Sequence, residues 1–230
     1  QEVLAAASQH KNLSVIVDEV QRVPALLNEI QSLIDFYKQS KIRFLLTGSS
    51  ARKLKRKGSN LLPGRIIIKK LSPLLYNEWN SSFSLEQILC RGALPGILTA
   101  PLDKQWDILK SYVNIYLKEE IQNEGLAQGI GPFSRFIELA ATFSGQQINY
   151  TSISRDAGVP YTTIRNYFQI LEDTLVGVLI YPYTGKTTKR LSLHPKLYLY
   201  DIGVRNALVN LNLTTIPATE KGFLFEHFIM

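Results

Sequence analysis

The 230-residue sequence contains one cysteine, Cys90, and very few histidines. A single cysteine excludes an internal disulfide framework and a cysteine-rich zinc site, and it favours the reducing cytoplasm. No apolar run approaches the roughly 18 residues that a membrane helix needs, and no signal peptide is visible. The three histidines, His10, His194 and His227, are too scattered in sequence to indicate a metal site or a catalytic triad.

The composition is that of an ordinary globular protein, with 45% hydrophobic and 20% charged residues, which excludes collagenous and disordered classes. The net charge of +7 lies entirely in the first half. Residues 1–100 carry 14 basic and 7 acidic side chains, and between Lys38 and Lys70 there are eleven Lys and Arg and no Asp or Glu. This segment is suited to meet phosphate, nucleic acid or the nucleotide of an adjoining subunit.

The first 75 residues have the pattern of an α/β core. Leu13–Val17 and Ile42–Leu46 are apolar runs typical of buried parallel strands, and apolar residues after Pro24 recur at helical spacing. A third short strand is predicted over Ile66–Ile68. Strand, helix and strand in this order predict a doubly wound parallel sheet, in which ligands bind beyond the carboxyl ends of the strands.

Polar residues follow both strands at that edge. Asp18 and Glu19 end the first strand, and Thr47-Gly48-Ser49-Ser50 ends the second. Paired carboxylates there suit nucleotide hydrolysis, because one can hold magnesium and the other can activate water. An acidic pair alone is also a common solvated turn, and Thr-Gly-Ser-Ser alone is an ordinary turn. Arg65, with Arg52 as second choice, could neutralise transition-state charge.

These segments together resemble a known family. Val15–Pro24 is similar to a Walker B segment, Leu45–Ser50 to a sensor strand, and Pro63-Gly64-Arg65 and Leu71–Leu74 continue the likeness. They resemble the uncharacterised prokaryotic AAA-type P-loop ATPases that carry a C-terminal winged helix and a restriction-endonuclease-like domain. The resemblance implies that Asp18 is the magnesium-associated acid, Glu19 the water-activating base, Ser49 with Thr47 the nucleotide sensor and Arg65 an arginine finger.

The phosphate-binding loop of that family is not found in the sequence. Its pattern, G-x-x-x-x-G-K-[ST], has one lookalike at Gly185-Lys186-Thr187, but Ile180 stands where the first glycine is needed. Because the chain begins at Gln1 and its only methionine is Met230, we expect a fragment of a longer protein. ATP and Mg²⁺ are therefore expected to bind the full-length parent and not this chain, whose sheet would keep an unpaired gap.

The second half is predicted to be a helical linker followed by an α+β module. Asp103–Glu124 has the stripe of one long amphipathic helix. Three helices (133–144, 151–157 and 161–173) and strands over 176–183 and 191–200 then follow a helix-turn-helix pattern with a wing. The residues predicted to contact DNA are Thr162, Thr163, Arg165 and Asn166 on the third helix, with Lys186, Lys189 and Arg190 on the wing.

The predicted fold class is thus an α/β partial P-loop ATPase core, then a helical linker and an α+β winged-helix domain. The boundaries are 1–75 for the core, 76–130 for the linker or lid, 131–200 for the winged helix and 201–230 for the start of a nuclease-like domain. In that last segment Glu226 is either a first acidic member of the nuclease site or an ordinary helix-start glutamate. The parent would couple ATP hydrolysis to remodelling of DNA or a protein. A non-catalytic DNA-binding regulator and an interdomain scaffold remain alternatives, and self-association through the ATPase core is a further expectation.

Overall fold

The computed structural model describes residues 3, 12–36, 42–48, 62, 64–79, 82–117, 130–183 and 194–230. The chain divides into two compact units, residues 1–70 and residues 71–230. Parallel strands with helices in the first unit and a mostly helical second unit give the mixed α/β class that the sequence predicts. The finer division into four segments stays a prediction.

Between residues 12 and 48, the described part of the first unit contains two parallel strands joined by one α-helix. Strand β1 (Leu13–Val17) and strand β2 (Ile42–Leu46) have the bounds predicted from sequence, and they pair in register from Leu13 with Ile42 to Val17 with Leu46. A 3₁₀ turn (Val20–Arg22) leads to helix α1 (Leu26–Phe36) between them. This crossover places the carboxyl ends of both strands at one edge of the sheet.

Within the described residues, only one face of this small sheet is covered. Leu27 and Ile30 of α1 pack with Val20 and Leu62 in a buried cluster, against which Val17, Phe44 and Leu46 lie partly buried. The opposite face carries Ile16 and Leu45, whose residues are 71% and 52% exposed. The prediction of fully buried strands is therefore wrong, because parallel strands are buried on both faces only where helices cover both.

The prediction of a third strand over residues 66–68 is also wrong. Residues 66–70 have no regular secondary structure, and Ile66, Ile67 and Ile68 are exposed. In the described sheet β1 and β2 pair with each other alone. A strand forms only where a neighbouring backbone completes its hydrogen bonds, so the apolar composition of this segment is not sufficient.

The second unit begins with short helices. They are α2 (Tyr76–Trp79), α3 (Leu85–Arg91), α4 (Pro95–Leu98) and α5 (Leu102–Ser111). Ser84 and Gln87 form a reciprocal capping box at the start of α3, which explains why this helix begins there. Gly92 ends α3 with φ of 81°, and a Cβ at this position would collide with the Asp201 carboxylate.

The predicted long helix over 103–124 is interrupted. The α-helical hydrogen bonding of α5 ends at Ser111 and continues as a π-helix over Tyr112–Leu117, while residues 118–129 lie outside the described residues. Leu109 and Val113 are buried, as the amphipathic stripe predicts. The π-helical turn keeps the apolar side of the helix packed against the core. A prediction based on 3.6 residues per turn does not anticipate such a turn.

Residues 130–200 form three helices and a two-stranded antiparallel sheet. Helices α6 (Ile130–Thr142), α7 (Tyr150–Ala157) and α8 (Tyr161–Asp173) are followed by β3 (Gly177–Ile180) and β4 (Lys196–Leu199). An isolated antiparallel bridge joins Gln147, between α6 and α7, to Lys196 of β4. Their facing sides form the largest apolar cluster of the unit, which includes Phe136, Phe168 and Leu197.

Two further helices complete the unit. Helix α9 (Ile202–Leu208) is buried along its whole length, and α10 (Ala218–Ile229) follows it. The Asn206 amide donates to the carbonyl groups of Leu89 and Cys90 at the end of α3. Arg205 donates to the Ala141 carbonyl in α6, and its guanidinium lies 4.6 Å from the ring centre of Phe223 in α10. Helix α9 therefore holds three neighbouring helices together through polar contacts.

Among the helices of the described residues, none combines the length and apolar character that crossing a lipid bilayer requires.

Candidate functional site

The ends of β1 and β2 meet through Thr47. Its backbone amide donates to the Val17 carbonyl at 2.9 Å, and its own carbonyl accepts from the Val20 amide at 3.0 Å. The Thr47 hydroxyl donates to the Asp18 carboxylate and accepts from the Glu19 amide at 3.2 Å. Asp18, Glu19 and Thr47, which the sequence placed on successive strand ends, are thus brought into one hydrogen-bonded cluster.

Glu19 is held in an unusual backbone conformation. Its φ of 54° and ψ of 47° lie in the left-handed region, which non-glycine residues rarely adopt. This turn of the chain starts the 3₁₀ helix over 20–22. The Glu19 side chain accepts from Nε2 of Gln21 at 2.6 Å, and Gln21 is almost completely buried. A buried amide therefore restricts the Glu19 carboxylate.

Gln21 and Gly48 are site residues that the sequence reasoning missed. A Cβ at Gly48 would lie 2.5 Å from Oε1 of Gln21, so any larger residue at position 48 would require the buried Gln21 side chain to shift. The available signal was a glutamine two residues after an acid at a strand end. Nothing in its spacing indicated burial, because glutamine is usually exposed.

The donor set suits magnesium bound together with a phosphate ligand. Two carboxylates and a hydroxyl are oxygen donors, and Mg²⁺ is commonly held by one or two carboxylates plus substrate phosphates. Among the described residues no group of three or more His, Cys, Asp and Glu could hold a metal by itself. The lookalike of the phosphate-binding loop does not fit this role, because Ile180, at the position of its first glycine, lies in strand β3.

Arg65 lies against helix α1. Its Nε donates to Oδ1 of Asp35 at 2.7 Å, and this hydrogen bond and the charge of Asp35 raise the pKa of Arg65. Gly64, directly before it, has φ of 72°. Ser49 and Arg52 lie outside the described residues. The sensor and arginine-finger roles therefore stay predictions.

The residues predicted to contact DNA lie in the first half of α8. Thr162, Arg165 and Asn166 are exposed, and Thr163 is half-buried. Their spacing places the exposed three on one side of the helix. The other side is buried in the core, through Ile164, Tyr167, Phe168, Ile170 and Leu171. Lys186, Lys189 and Arg190 lie outside the described residues.

Glu226 is engaged within the second unit. Its carboxylate accepts from Lys196 Nζ at 2.7 Å and from the Tyr198 hydroxyl. These hydrogen bonds lower the pKa of Glu226. The residue lies near the end of α10 and not at its start, so the description as a helix-start glutamate is wrong. Its contacts tie α10 to strand β4.

Comparison with known proteins gives a domain-level match for the first region. A family described as AAA domain matches residues 1–80, which agrees with a P-loop-like core in this part of the chain. Uncharacterized proteins of Mycobacterium bovis and Mycobacterium tuberculosis are each 28% identical to the chain over 219 residues. The alignment covers 94% of this chain and 49% of each relative, so the chain spans about half the length of these curated relatives.

No solved structure matches the chain. The second match covers residues 82–215, more than half of the sequence, and it is to a family described as a domain of unknown function, DUF8612. Residues 1–80 match the AAA domain family, and the chain belongs to the DUF8612 family.

Proposed function

We propose that residues 12–48 form the acidic edge of a nucleotide-hydrolysis site, and that ATP hydrolysis belongs to a longer protein that supplies the phosphate-binding loop. The observation that carries this proposal is the meeting of Asp18, Glu19 and Thr47 at the carboxyl edge of parallel strands. The match of residues 1–80 to an AAA domain supports it. The activity would drive remodelling of DNA or of a protein partner.

Each residue has a defined part in this proposal. Asp18 would hold Mg²⁺, which supplies charge neutralisation at the phosphates when bound. Glu19 would orient the attacking water and take its proton, while Gln21 restricts where its carboxylate points. Thr47 and Ser49 would contact the terminal phosphate. Arg65 would act on the transition state, in the same chain or in a second copy that associates through the ATPase core.

The chain by itself is expected to bind ATP weakly or not at all. The sequence holds no complete G-x-x-x-x-G-K-[ST] segment, and such a loop supplies most of the backbone and lysine contacts to the phosphates. Isothermal titration of Mg·ATP into this chain tests the point. Micromolar affinity would refute the proposal that the loop lies elsewhere.

ATP turnover in a version extended to include the phosphate-binding loop tests the catalytic assignment. Glu19→Gln keeps the size and the hydrogen-bonding capacity of the side chain but removes its basicity, so kcat should fall by about 10²-fold or more. Glu29→Gln is the matched control, because Glu29 is an exposed acid on α1 and its loss should leave turnover unchanged. Turnover insensitive to Glu19→Gln would overturn the role of Glu19.

A second candidate function is DNA binding by residues 130–200. We propose a winged helix here, supported by the order of three helices and two strands and by the bridge from Gln147 to Lys196. The exposed side of α8, with Thr162, Arg165 and Asn166, would enter a groove of DNA. A packing role between domains is the alternative, since a fold by itself does not determine a function.

Fluorescence anisotropy with duplex DNA at two salt concentrations separates these roles. DNA binding predicts an affinity that falls with added salt and drops about five-fold or more in Arg165→Ala. Lys104→Ala is the control, because the Lys104 side chain is exposed on α5, away from α8 in sequence. Absence of binding, or binding that is equally strong in Arg165→Ala, would favour the packing role.

A further inference from the structure

A groove of about 490 Å³ opens on the surface of the second unit. Its walls come from residues 72–77, strands β3 and β4 and the last turn of α10, and we call it the 72–77 groove. The volume lies within the range typical of small-molecule sites. Asp201 and His227, which the proposed function does not use, both line it.

Asp201 brings a buried negative charge to this groove. The residue is 4% exposed, and its carboxylate accepts from the backbone amides of Ala93 at 2.7 Å and Val204 at 2.9 Å. Among the described residues that line the groove there is no Lys or Arg. Because a buried charge is costly without a partner of opposite sign, a cation in the groove would be strongly favoured.

His227 adds a hydrogen-bond acceptor. Its Nε2 lies 2.8 Å from the Leu199 carbonyl, and a carbonyl only accepts, so Nε2 carries the proton. Nδ1 then has a lone pair, and it is buried with no hydrogen-bond partner among the described residues. Burial lowers the pKa of His227, which keeps the ring neutral at pH 7. A buried acceptor of this kind is satisfied by a ligand that donates a hydrogen bond.

Much of the remaining lining is apolar, although Ser72, Asn77 and Tyr200 also line the groove. Leu75, Val178 and Ile229 line the groove and are exposed, while the Tyr198 and His227 rings lie 5.7 Å apart, centre to centre, in an edge-to-face contact. A ligand with a hydrocarbon or aromatic body would therefore bury apolar surface on both sides. The groove thus combines apolar walls with the Asp201 carboxylate and the Nδ1 acceptor of His227.

We propose that the 72–77 groove binds a small primary amine with an apolar body. The ammonium group of this ligand would pair with the Asp201 carboxylate and donate a hydrogen bond to Nδ1 of His227. The net charge of the chain is +7, so a groove whose described lining carries an acid and no Lys or Arg selects cations against the general charge of the protein. The proposal is independent of ATP hydrolysis and of DNA binding.

Titration of the 230-residue chain with phenethylammonium and with 3-phenylpropionate tests the charge preference. Amide signals of Ala93 and Val204 in ¹H–¹⁵N spectra report directly on the Asp201 carboxylate. Phenethylammonium should bind saturably and about tenfold or more tightly than 3-phenylpropionate. Equal affinity for the two, or no binding of phenethylammonium, would overturn the proposal.

Rim variants test the position of the site. Val178→Arg and Ile229→Arg each add a cation at an exposed lining residue, and each should weaken phenethylammonium binding about tenfold or more. Leu102→Arg is the matched control, because Leu102 is about as exposed as Ile229 and belongs to α5, outside the groove lining; it should bind as the parent does. Folding of each variant is verified from its unfolding midpoint. Retained binding in both folded rim variants would overturn the placement.

Discussion

Asp201 links two helices through its carboxylate. It caps the start of α9 by accepting from the Val204 amide, and it accepts from the Ala93 amide just after α3. Asp201→Ala leaves these buried amides without partners, so the free energy of unfolding should fall by about 3 kcal/mol or more. Urea unfolding measures this loss. Asp103→Ala, an exposed acid of α5, is the control with little change, and a loss similar to this control would contradict the assignment.

The same carboxylate predicts a pH dependence. Burial raises the pKa of Asp201 to about 6 from an ordinary value of 3.8. The folded chain therefore holds a proton that the unfolded chain releases between these values, and this stabilising contribution is lost as the pH rises through about 6. Relative to Asp201→Asn, the parent should gain about 2 kcal/mol between pH 7 and pH 4. Urea unfolding at both pH values measures the difference; a constant difference would show an unshifted pKa.

The effects on stability of substitutions at Gly48 and Gln21 are predicted to depend on each other. A Cβ at position 48 meets the buried Gln21 side chain, so Gly48→Ala should destabilise the chain by about 1 to 3 kcal/mol. In a Gln21→Ala background the same change should cost markedly less, because the obstructing side chain is gone. Gly222→Ala in α10 has open space around it and should be neutral or stabilising. Additive effects of Gly48→Ala and Gln21→Ala would contradict this contact.

At the scale of elements, helix α7 begins where a side chain can cap it. Asn149 Oδ1 accepts from the amides of Thr151 and Ser152 at 3.0 and 3.1 Å. Asn149→Ala should lower the free energy of unfolding by about 1 kcal/mol, while Asn149→Asp should retain most of it. Urea unfolding of both variants checks this. Equal losses in the two variants would mean that the cap does not stabilise α7.

The elements that sequence patterns predicted best are those with strong local signals. Strands β1 and β2 and helix α8 have the predicted bounds, because alternation, helical periodicity and turn residues are read within a few residues. The prediction of a strand over residues 66–68 was wrong for the opposite reason. Their apolar composition favours a strand, but a strand also requires a partner backbone, which local sequence does not reveal.

At the scale of the whole molecule, the buried clusters of residues 71–230 are formed within that unit. Leu74 and Trp79 pack with Ile88, Ala93 and Leu98, and the other clusters lie further along the chain. A chain of residues 71–230 should therefore unfold cooperatively by itself. Residues 82–230, which lack Leu74 and Trp79, should unfold at a clearly lower temperature. Equal unfolding midpoints for these two chains would show that the cluster around Trp79 contributes little.

The sequence by itself determined strands β1 and β2, the acids after β1, the three helices within residues 130–173 and the absence of a complete phosphate-binding loop. These features depend on residue type and short spacing, which are visible without coordinates. The tertiary structure alone decided that Gln21 restrains Glu19, that Arg65 meets Asp35, and that Asp201 and His227 share a groove. Such contacts join residues distant in sequence or depend on which side of a turn is buried, and packing of the whole chain decides both.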